Sequence, residues 1–337
     1  MNKCFFGIDT SNYTTSLAAV GEDGQVILDE RRLLPVPAGG RGLRQSEALF
    51  AHVRHLGTML PEAAESLRER GCVITAAGVS SRPRPAPGSY MPCFLAGVLA
   101  AKSFASGCGI PLFEFSHQQG HVAAALFTSE AQGREDTKSG RFIAFHVSGG
   151  TTEVLSVKLE NGIPGISLLG GTADLNAGQA VDRIGVAAGF GFPCGPAMEK
   201  AADAYAAKCA AEGRKPLEGI KRGRISVRGV SCNLSGLENM AMSMLSRGKD
   251  AGGESAEPGE VSYFVFDFIA RTLCALAKNA TVQEGEDLPV IWAGGVLSNA
   301  QIKKSVAGCV RSYFAGPGYS SDNAAGIAML ARERYLL

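Results

Sequence analysis

The chain has 337 residues, 33 Lys and Arg against 32 Asp and Glu, a net charge of +1 and 45% hydrophobic residues. That length exceeds one simple core and predicts two lobes, and the balanced charge excludes a globally basic nucleic-acid binder, leaving such contact to a local patch. Nine cysteines without a CxxC spacing, an opening in which Met1 leads almost at once into CFFGID, and no apolar run of membrane-spanning length give the expectation of a cytoplasmic protein with reduced thiols and no membrane contact.

The first element is a hairpin. Cys4 to Ile8 leads to Asp9, Thr10 and Ser11 begin a polar turn, and Ser16 to Val20 returns. Helical segments are predicted over Arg44 to Arg70, Phe94 to Ser106 and His117 to Thr128. The polar stretch Ser129 to Gly140 reads as an exposed loop, and the lobe boundary is placed there, giving 1–135 and 136–337. A second hairpin, FIAFHVSGGTTEVLSV, runs from Phe142 to Val157 with the tip Ser148-Gly149-Gly150-Thr151-Thr152. Helices follow over Gly178 to Ala188, Ala197 to Ala211 and Val261 to Asn279, with a loop at Arg247 to Glu260. A third strand with a glycine turn is LPVIWAGGVLSN, Leu288 to Asn299, and an apolar helix AAGIAML closes the chain, either in the second lobe or returning to the first. Strands alternating with helices make the class α/β. Two equivalent hairpins about 135 residues apart point to an internal duplication, two similar lobes facing each other, although Gly/Thr hairpins also recur by chance.

Glycine-rich strand tips expose backbone N–H groups to phosphate oxygens. The candidates are Asp9-Thr10-Ser11, which has hydroxyls in place of glycine, Ser148 to Thr152, and Gly294-Gly295; none is a P-loop or a GxGxxG fingerprint. Asp9, at a strand end, is placed to hold a metal or water near phosphate. His117 and His121, four apart, share one helix face and can bind one ion, although such a pair also arises by chance. Gln118 excludes the H-E-x-x-H protease motif. A third ligand must come from elsewhere; Asp322, before AAGIAML, is one candidate and equally an N-cap. Gly213 to Gly229 carries six basic residues, Arg214, Lys215, Lys221, Arg222, Arg224 and Arg228, against one acid, and Arg82 and Arg84 form a second basic spot. These are candidate phosphate contacts or ordinary solvated loops.

The ordered series GIDTS at 7–11, Lys102-Ser103, Pro111, HQQGHV at 117–122, VSGGTTEVL at 147–155, AGQAVDRIG at 177–185, GFPCGP at 191–196, NLSGLEN at 233–239, AGGVLSN at 293–299 and SDNAAGIA at 321–328 resembles the TsaD family. These are tRNA N6-adenosine threonylcarbamoyltransferases, formerly named O-sialoglycoprotein endopeptidases. The resemblance spans essentially the whole chain. It implies the two-lobed actin/Hsp70/sugar-kinase (ASKHA) fold with duplicated RNase H-like lobes. It implies one divalent metal, iron or zinc, on His117, His121 and Asp322, and ATP or an acyl-adenylate as ligand, with Mg as a further candidate cation. The segment His146, Val147, Ser148, Gly149 and Gly150 would hold phosphate and acyl group; Asp182, Gly195 and Asn299, beside Gly294 and Gly295, would meet the adenosine. Asp9, Ser148, Gly149 and Gly150 are the expected catalytic residues. A paralogous partner subunit on the apolar helical surface of the first lobe, a small ATPase and tRNA are the implied partners. The chain departs from the family pattern at Asp9 for Glu, Asn12-Tyr13-Thr14 for acidic residues, Gln119 for an acid, Thr151 for His, Gln179 for Glu and Glu238 for Lys. Two readings therefore stand: a metal-dependent transferase acting on tRNA, and a divergent nucleotide- and metal-binding paralogue with a regulatory or other carbamoyl-transfer role. No activated nucleophile supports a peptidase.

Overall fold

The structure is a computed structural model. It describes every residue except 1, 12, 36–42, 130, 132–136, 138, 251–255, 317 and 320–323, and only the backbone of 247–250. Asn12 and Asp322 thus lie outside the described residues.

In chain order the elements are β1 Asn2–Ser11, β2 Thr14–Gly21, β3 Val26–Leu33, α1 Gln45–Glu69, β4 Cys72–Arg82, α2 Phe94–Cys108, β5 Leu112–Ser116 and α3 His117–Thr128. Next come β6 Arg141–Val147, β7 Thr152–Glu160, β8 Ile163–Thr172, α4 Ala177–Ala187, α5 Gly195–Ala211, β9 Ser226–Arg228, β10 Ser231–Asn233, α6 Ser235–Asp250 and α7 Pro258–Glu284. The chain ends with β11 Val290–Ala293, a 3-10 turn Gly295–Ser298, α8 Ala300–Ala307, β12 Ser312–Phe314 and α9 Ala325–Tyr335. Two helices, α6 and α8, fall where the sequence reading placed none, and α6 runs into the expected loop at Arg247 to Glu260. α8 is only eight residues long, too short for helical periodicity to separate it from a loop.

Two compact units divide the chain. Unit 1 is Met1–Arg141, Val157–Ile166 and Phe314–Leu337; unit 2 is Phe142–Ser156 and Ser167–Tyr313. The first sheet has the order β3-β2-β1-β4-β5 and the second β12-β11-β6-β7-β8-β10-β9. Read from its β8 strand inward, the second sheet repeats the first: third, second and first strands of a hairpin-led meander, then two later strands. In unit 1, β1 pairs antiparallel with β2 and parallel with β4; in unit 2, β6 pairs parallel with β11. The extra pair β10-β9 extends the β8 edge.

In unit 1 the β1 strand is buried on both faces, which is why it reads as a nearly unbroken apolar run. Cys4, Phe6 and Ile8 pack on Leu56, Met59, Ala63 and Leu67 of α1 and Ala96 and Ala101 of α2. Phe5 packs with Ala324, Ala325, Ala328 and Met329 at α9. α9 beds on the sheet through small residues: a Cβ at Gly7 would lie 2.5 Å from the Ala324 carbonyl, and one at Gly78 2.8 Å from that of Ile327. The same helix crosses α3 glycine to glycine, where a Cβ on Gly326 would lie 1.9 Å from the Gly120 carbonyl oxygen. In unit 2, α7 supplies Phe264, Phe268 and Leu273 to the core, and Phe145 stacks on Trp292 at 4.3 Å between ring centres.

Cys274 of α7 and Cys309 beyond α8 are joined as a disulfide, with Cα atoms 5.8 Å apart. This differs from the expectation that all thiols are reduced. The two lie 35 residues apart and meet only because α8 packs on α7. No helix among the described residues is long and apolar enough to cross a membrane.

Candidate functional site

The first group of polar residues sits at the carboxyl end of β1 in unit 1. Asp9 follows Ile8 on the strand and is fully buried. Strand alternation turns it to the α9 side, with Phe5 and Gly7. Its carboxylate accepts from Ser80 through Oδ1 and from Ser11 at 3.0 Å through Oδ2, and His117 Nδ1 lies 2.8 Å from Oδ2. His117 opens α3 directly after Ser116, whose hydroxyl caps the helix by accepting from the Gln119 amide. His121 is one turn on, and its Nε2 stands 2.9 Å from His117 Nε2. The spacing of four thus brings both imidazoles together with edges meeting.

A proton on His117 Nδ1, held by the Asp9 carboxylate, leaves the Nε2 lone pair outward; a carboxylate behind a histidine is the usual support of a metal-bound imidazole. Two Nε2 atoms 2.9 Å apart stand where neighbouring ligands of one first-row divalent ion would stand once both present lone pairs. Among the described residues no set of three or more His, Cys, Asp or Glu side chains is arranged to hold a metal; the third candidate, Asp322, lies outside them. The donor pair fits the ion, and Asp9 stands behind that pair.

Gln119, where the family pattern has an acid, is fully engaged. Its Oε1 accepts from the Ser116 amide at 2.9 Å and its Nε2 donates to the Pro164 carbonyl at 3.0 Å. A carboxylate could not make the second bond.

On the opposite face of the same sheet, Thr15 of β2 has its Oγ1 2.8 Å from His52 Nδ1 and 3.1 Å from His55 Nδ1. His52 is fully buried, and burial pushes its pKa down to about 4. Sequence reading passed over this pair. Its signal was H-x-x-H on α1, the i,i+3 counterpart of the spacing seen in α3.

The second group lies in unit 2 at the carboxyl ends of the parallel strands β6 and β11, where open α/β sheets bind ligands. His146, half-buried, pairs in register with Ala293. Beyond Val147 the chain turns: the Ser148 amide donates to the Thr151 carbonyl at 2.7 Å. α4 is built against this turn. The Gly178 amide donates to the Ser148 carbonyl, the Ala177 amide to Thr152 Oγ1, and Asn176 Nδ2 to the Gly150 carbonyl. Gln179, where the family pattern has Glu, accepts through Oε1 from the Asn176 amide at 3.4 Å at the start of α4.

The glycines here divide into two kinds. Gly178 and Gly294 are demanded by packing: an added Cβ would lie 2.6 Å from Gly149 Cα in one case and 2.2 Å from the Val147 carbonyl oxygen in the other, where Gly294 also has φ of 105°. At Gly149, Gly150, Gly195 and Gly295 an added Cβ meets nothing, and none of the four has a left-handed φ. The fold does not require glycine there. What glycine leaves is bare backbone that an outside group can approach closely.

Gly195 is the first residue of α5, and Asp182 Oδ1 accepts from the Cys194 amide at 2.9 Å just before it. Asn299 is buried and caps α8 by accepting from the Ile302 amide at 2.9 Å; the next amide, Ala300, donates to Glu199 of α5. α4 touches both the 3-10 turn and α5, so Ser148 to Gly150, Asp182, Gly195, Gly294, Gly295 and Asn299 belong to one neighbourhood. Glu238 of α6, where the family has Lys, pairs with exposed Arg183 of α4 at 3.3 Å. Asp174 was not singled out in the sequence. Burial pushes its pKa up, but hydrogen bonds from the Ser235 side chain and the Leu234, Leu175 and Ser235 amides outweigh this and take it to about 2.

Burial raises the thiol pKa of Cys4 to about 12 and of Cys232 to about 11, and raises that of Cys194. These thiols are protonated at neutral pH and are no nucleophiles.

Residues 44–329 match the TsaD family, described as tRNA N6-adenosine threonylcarbamoyltransferase. The chain belongs to the TsaD family. Membership supports a tRNA-modification role of that general kind. Among solved structures, component A of the (R)-2-hydroxyglutaryl-CoA dehydratase of Acidaminococcus fermentans is 12% identical, with 99% of each chain covered and a TM-score of 0.50. A ROK family glucokinase from Streptomyces griseus, solved with glucose and AMPPNP, is 14% identical over 98% of this chain and 99% of its own, also at 0.50. At these identities the likeness shows the fold: α/β, of the actin/Hsp70/sugar-kinase class, with duplicated RNase H-like lobes.

Proposed function

We propose that the chain is a metal-dependent transferase that takes threonylcarbamoyl from an acyl-adenylate and passes it to N6 of an adenosine in tRNA. Family membership supports the reaction class. The observation that carries the assignment of roles is the set of glycines at 149, 150, 195 and 295, which packing does not require.

In this reading the Gly149 and Gly150 amides, with Ser148, meet the phosphate and acyl oxygens, and the positive end of α4 behind them favours negative charge. His146 and Val147 flank the acyl group. Asp182, Gly195, Gly294, Gly295 and Asn299 take the adenosine end. ATP is an alternative occupant of this cradle, with Mg as its cation. His117, His121 and Asp322 hold iron or zinc, and Asp9 fixes the tautomer of His117. When bound, the ion supplies Lewis-acid polarisation of an acyl or phosphate oxygen. N6 attacks the carbamoyl carbon, the bond from that carbon to the phosphate oxygen breaks with its electron pair leaving on AMP, and N6 gives up a proton. One well-placed backbone donor on the developing negative charge is worth about 3 kcal/mol.

The reading includes partners and a compartment. Phe50, Val53, Leu95 and Leu99 on α1 and α2 are 64%, 53%, 48% and 68% exposed; that apolar face suits a paralogous subunit. A small ATPase completes the system, in the cytoplasm.

A second reading, nucleotide and metal binding without transfer, is favoured by Gln119 and Gln179. Both are committed to helix caps and neither offers an acid or base. The deciding experiment is a transfer assay. The purified chain, with its partner subunits, receives threonylcarbamoyl-adenylate and unmodified tRNA, and nucleosides are read by mass spectrometry. Modified adenosine that disappears in the His117→Ala, His121→Ala double variant supports the transferase. No product, under conditions in which another family member works, refutes it and leaves the second reading.

A further inference from the structure

One covalent bond encloses one side of the candidate nucleotide cradle. The disulfide joins Cys274 on α7 to Cys309, just beyond α8 and 35 residues on. Between them run the end of α7, β11, the glycine pair Gly294-Gly295, the 3-10 turn, Asn299 and α8. α8 has eight residues, too few to be stable as a helix by itself. It is held from outside. Ile302 and Val306 are fully buried, and Gln301 Nε2 donates to the Tyr263 carbonyl of α7 at 3.2 Å. The disulfide ties the far end of the helix to α7.

The near end of α8 is the cradle itself. Asn299 caps the helix through Oδ1, which accepts from the Ile302 amide at 2.9 Å, and its Nδ2 is buried with no partner among the described residues. A buried donor left unpaired is costly, and an acceptor on a bound nucleotide would satisfy it. Because one residue is both cap and donor, that donor moves with α8. A tether at one end of a two-turn helix therefore bears on the donor at the other.

Cys274 and Cys309 are both partly exposed, whereas six of the seven free cysteines are buried and only Cys108 is exposed, so a thiol in solution has access to this bond. In the cytoplasm proposed above, disulfides are rare, and those that form are transient and redox-sensing more often than structural. The reduced state has partners waiting. The Ser305 carbonyl of α8 lies 3.6 Å from Cys274 Sγ and 3.2 Å from Cys309 Sγ, so each new thiol finds an acceptor. There the thiols compete with the Gly308 amide, which donates to the same carbonyl at 3.3 Å at the end of the helix. We propose that the Cys274–Cys309 bond is a thiol–disulfide exchange site that sets how tightly the Gly294 to Asn299 side of the cradle holds a nucleotide, an inference that rests on the nucleotide reading above. The co-reactant is a dithiol. Its thiolate attacks one sulfur, the bond between Cys274 and Cys309 breaks with its electron pair on the other sulfur, and that sulfur takes a proton. The second thiol of the reductant then displaces the mixed disulfide, the first sulfur takes the second proton, and the reductant leaves as its own disulfide.

The test compares the full chain oxidised, the full chain reduced by a dithiol, and the Cys274→Ser, Cys309→Ser double variant. ATP binding is measured by calorimetry, and backbone hydrogen exchange is measured without nucleotide. The proposal predicts that reduction weakens ATP binding about tenfold and speeds exchange across 295–309 by a similar factor. The double variant should match the reduced chain with or without reductant. In a series of glutathione buffers the bond should open toward the reduced end. A bond that stays closed in fully reduced buffer is structural, and the proposal falls. A double variant that still responds to reductant would assign the effect to another thiol and overturn it. Equal ATP affinity in the oxidised and reduced chains would overturn it while leaving the nucleotide reading intact. No ATP binding in any form would overturn both.

Discussion

Gly326→Ala sets two principles against each other. Gly326 lies in the first turn of α9, and on helix propensity alone alanine there gains about 1 kcal/mol. The contacts say otherwise. The new Cβ would lie 1.9 Å from the Gly120 carbonyl oxygen, 2.7 Å from its carbon and 2.9 Å from the Ala124 amide nitrogen. All three are backbone atoms, so no side chain can swing aside. The helices must part by about an ångström, while α9 stays held to β1 and β4 by the close approaches at Gly7 and Gly78. Overpacking of this kind costs about 3 kcal/mol, so the net expectation is a loss of about 2 kcal/mol. Thermal unfolding of the 337-residue chain should fall by about 3 °C. Because α3 carries His117 and His121, metal affinity should drop with it. Differential scanning calorimetry and zinc titration of the same preparation measure both. A variant as stable as the parent, or more so, would refute the argument that α3 and α9 meet through bare backbone.

Three further outcomes are expected. His52 is neutral when folded, with a pKa lowered by burial from 6.5 to about 4; the unfolded chain therefore binds more protons between those values, and the stability His52 contributes is complete above pH 6.5 and lost as pH falls to about 4. Up to about 3 kcal/mol is involved, so urea unfolding at pH 7 and pH 4 should differ less for His52→Gln by that order, and an unchanged difference would disprove it. Gly178→Ala drives a Cβ to 2.6 Å from Gly149 Cα; ATP binding measured by calorimetry should weaken at least about tenfold, and normal binding would remove the 148–151 turn from the nucleotide site. His117→Ala with His121→Ala should abolish bound iron or zinc in elemental analysis; unchanged metal would place the ion elsewhere.

Much of this protein is written locally. The strand into Asp9, the SGGTT turn, the helix starting at His117 and the two-hairpin repeat were legible because strand and helix periods and glycine turns act within a few residues. The ordered motifs were enough to mark the TsaD family. What the sequence left undecided depends on distant partners. Ser80 and Ser11 close around Asp9 only because β4 pairs beside β1. α6 and α8 carry weaker local signals than the packing that holds them, and Cys274 meets Cys309 only through that packing. Which glycines serve packing, as Gly178, Gly294 and Gly326 do, and which stand bare, as Gly149, Gly150, Gly195 and Gly295 do, is invisible in a string where all are the letter G. A glycine's role is set by what lies within a few ångströms of its absent Cβ, and the tertiary fold alone puts that there.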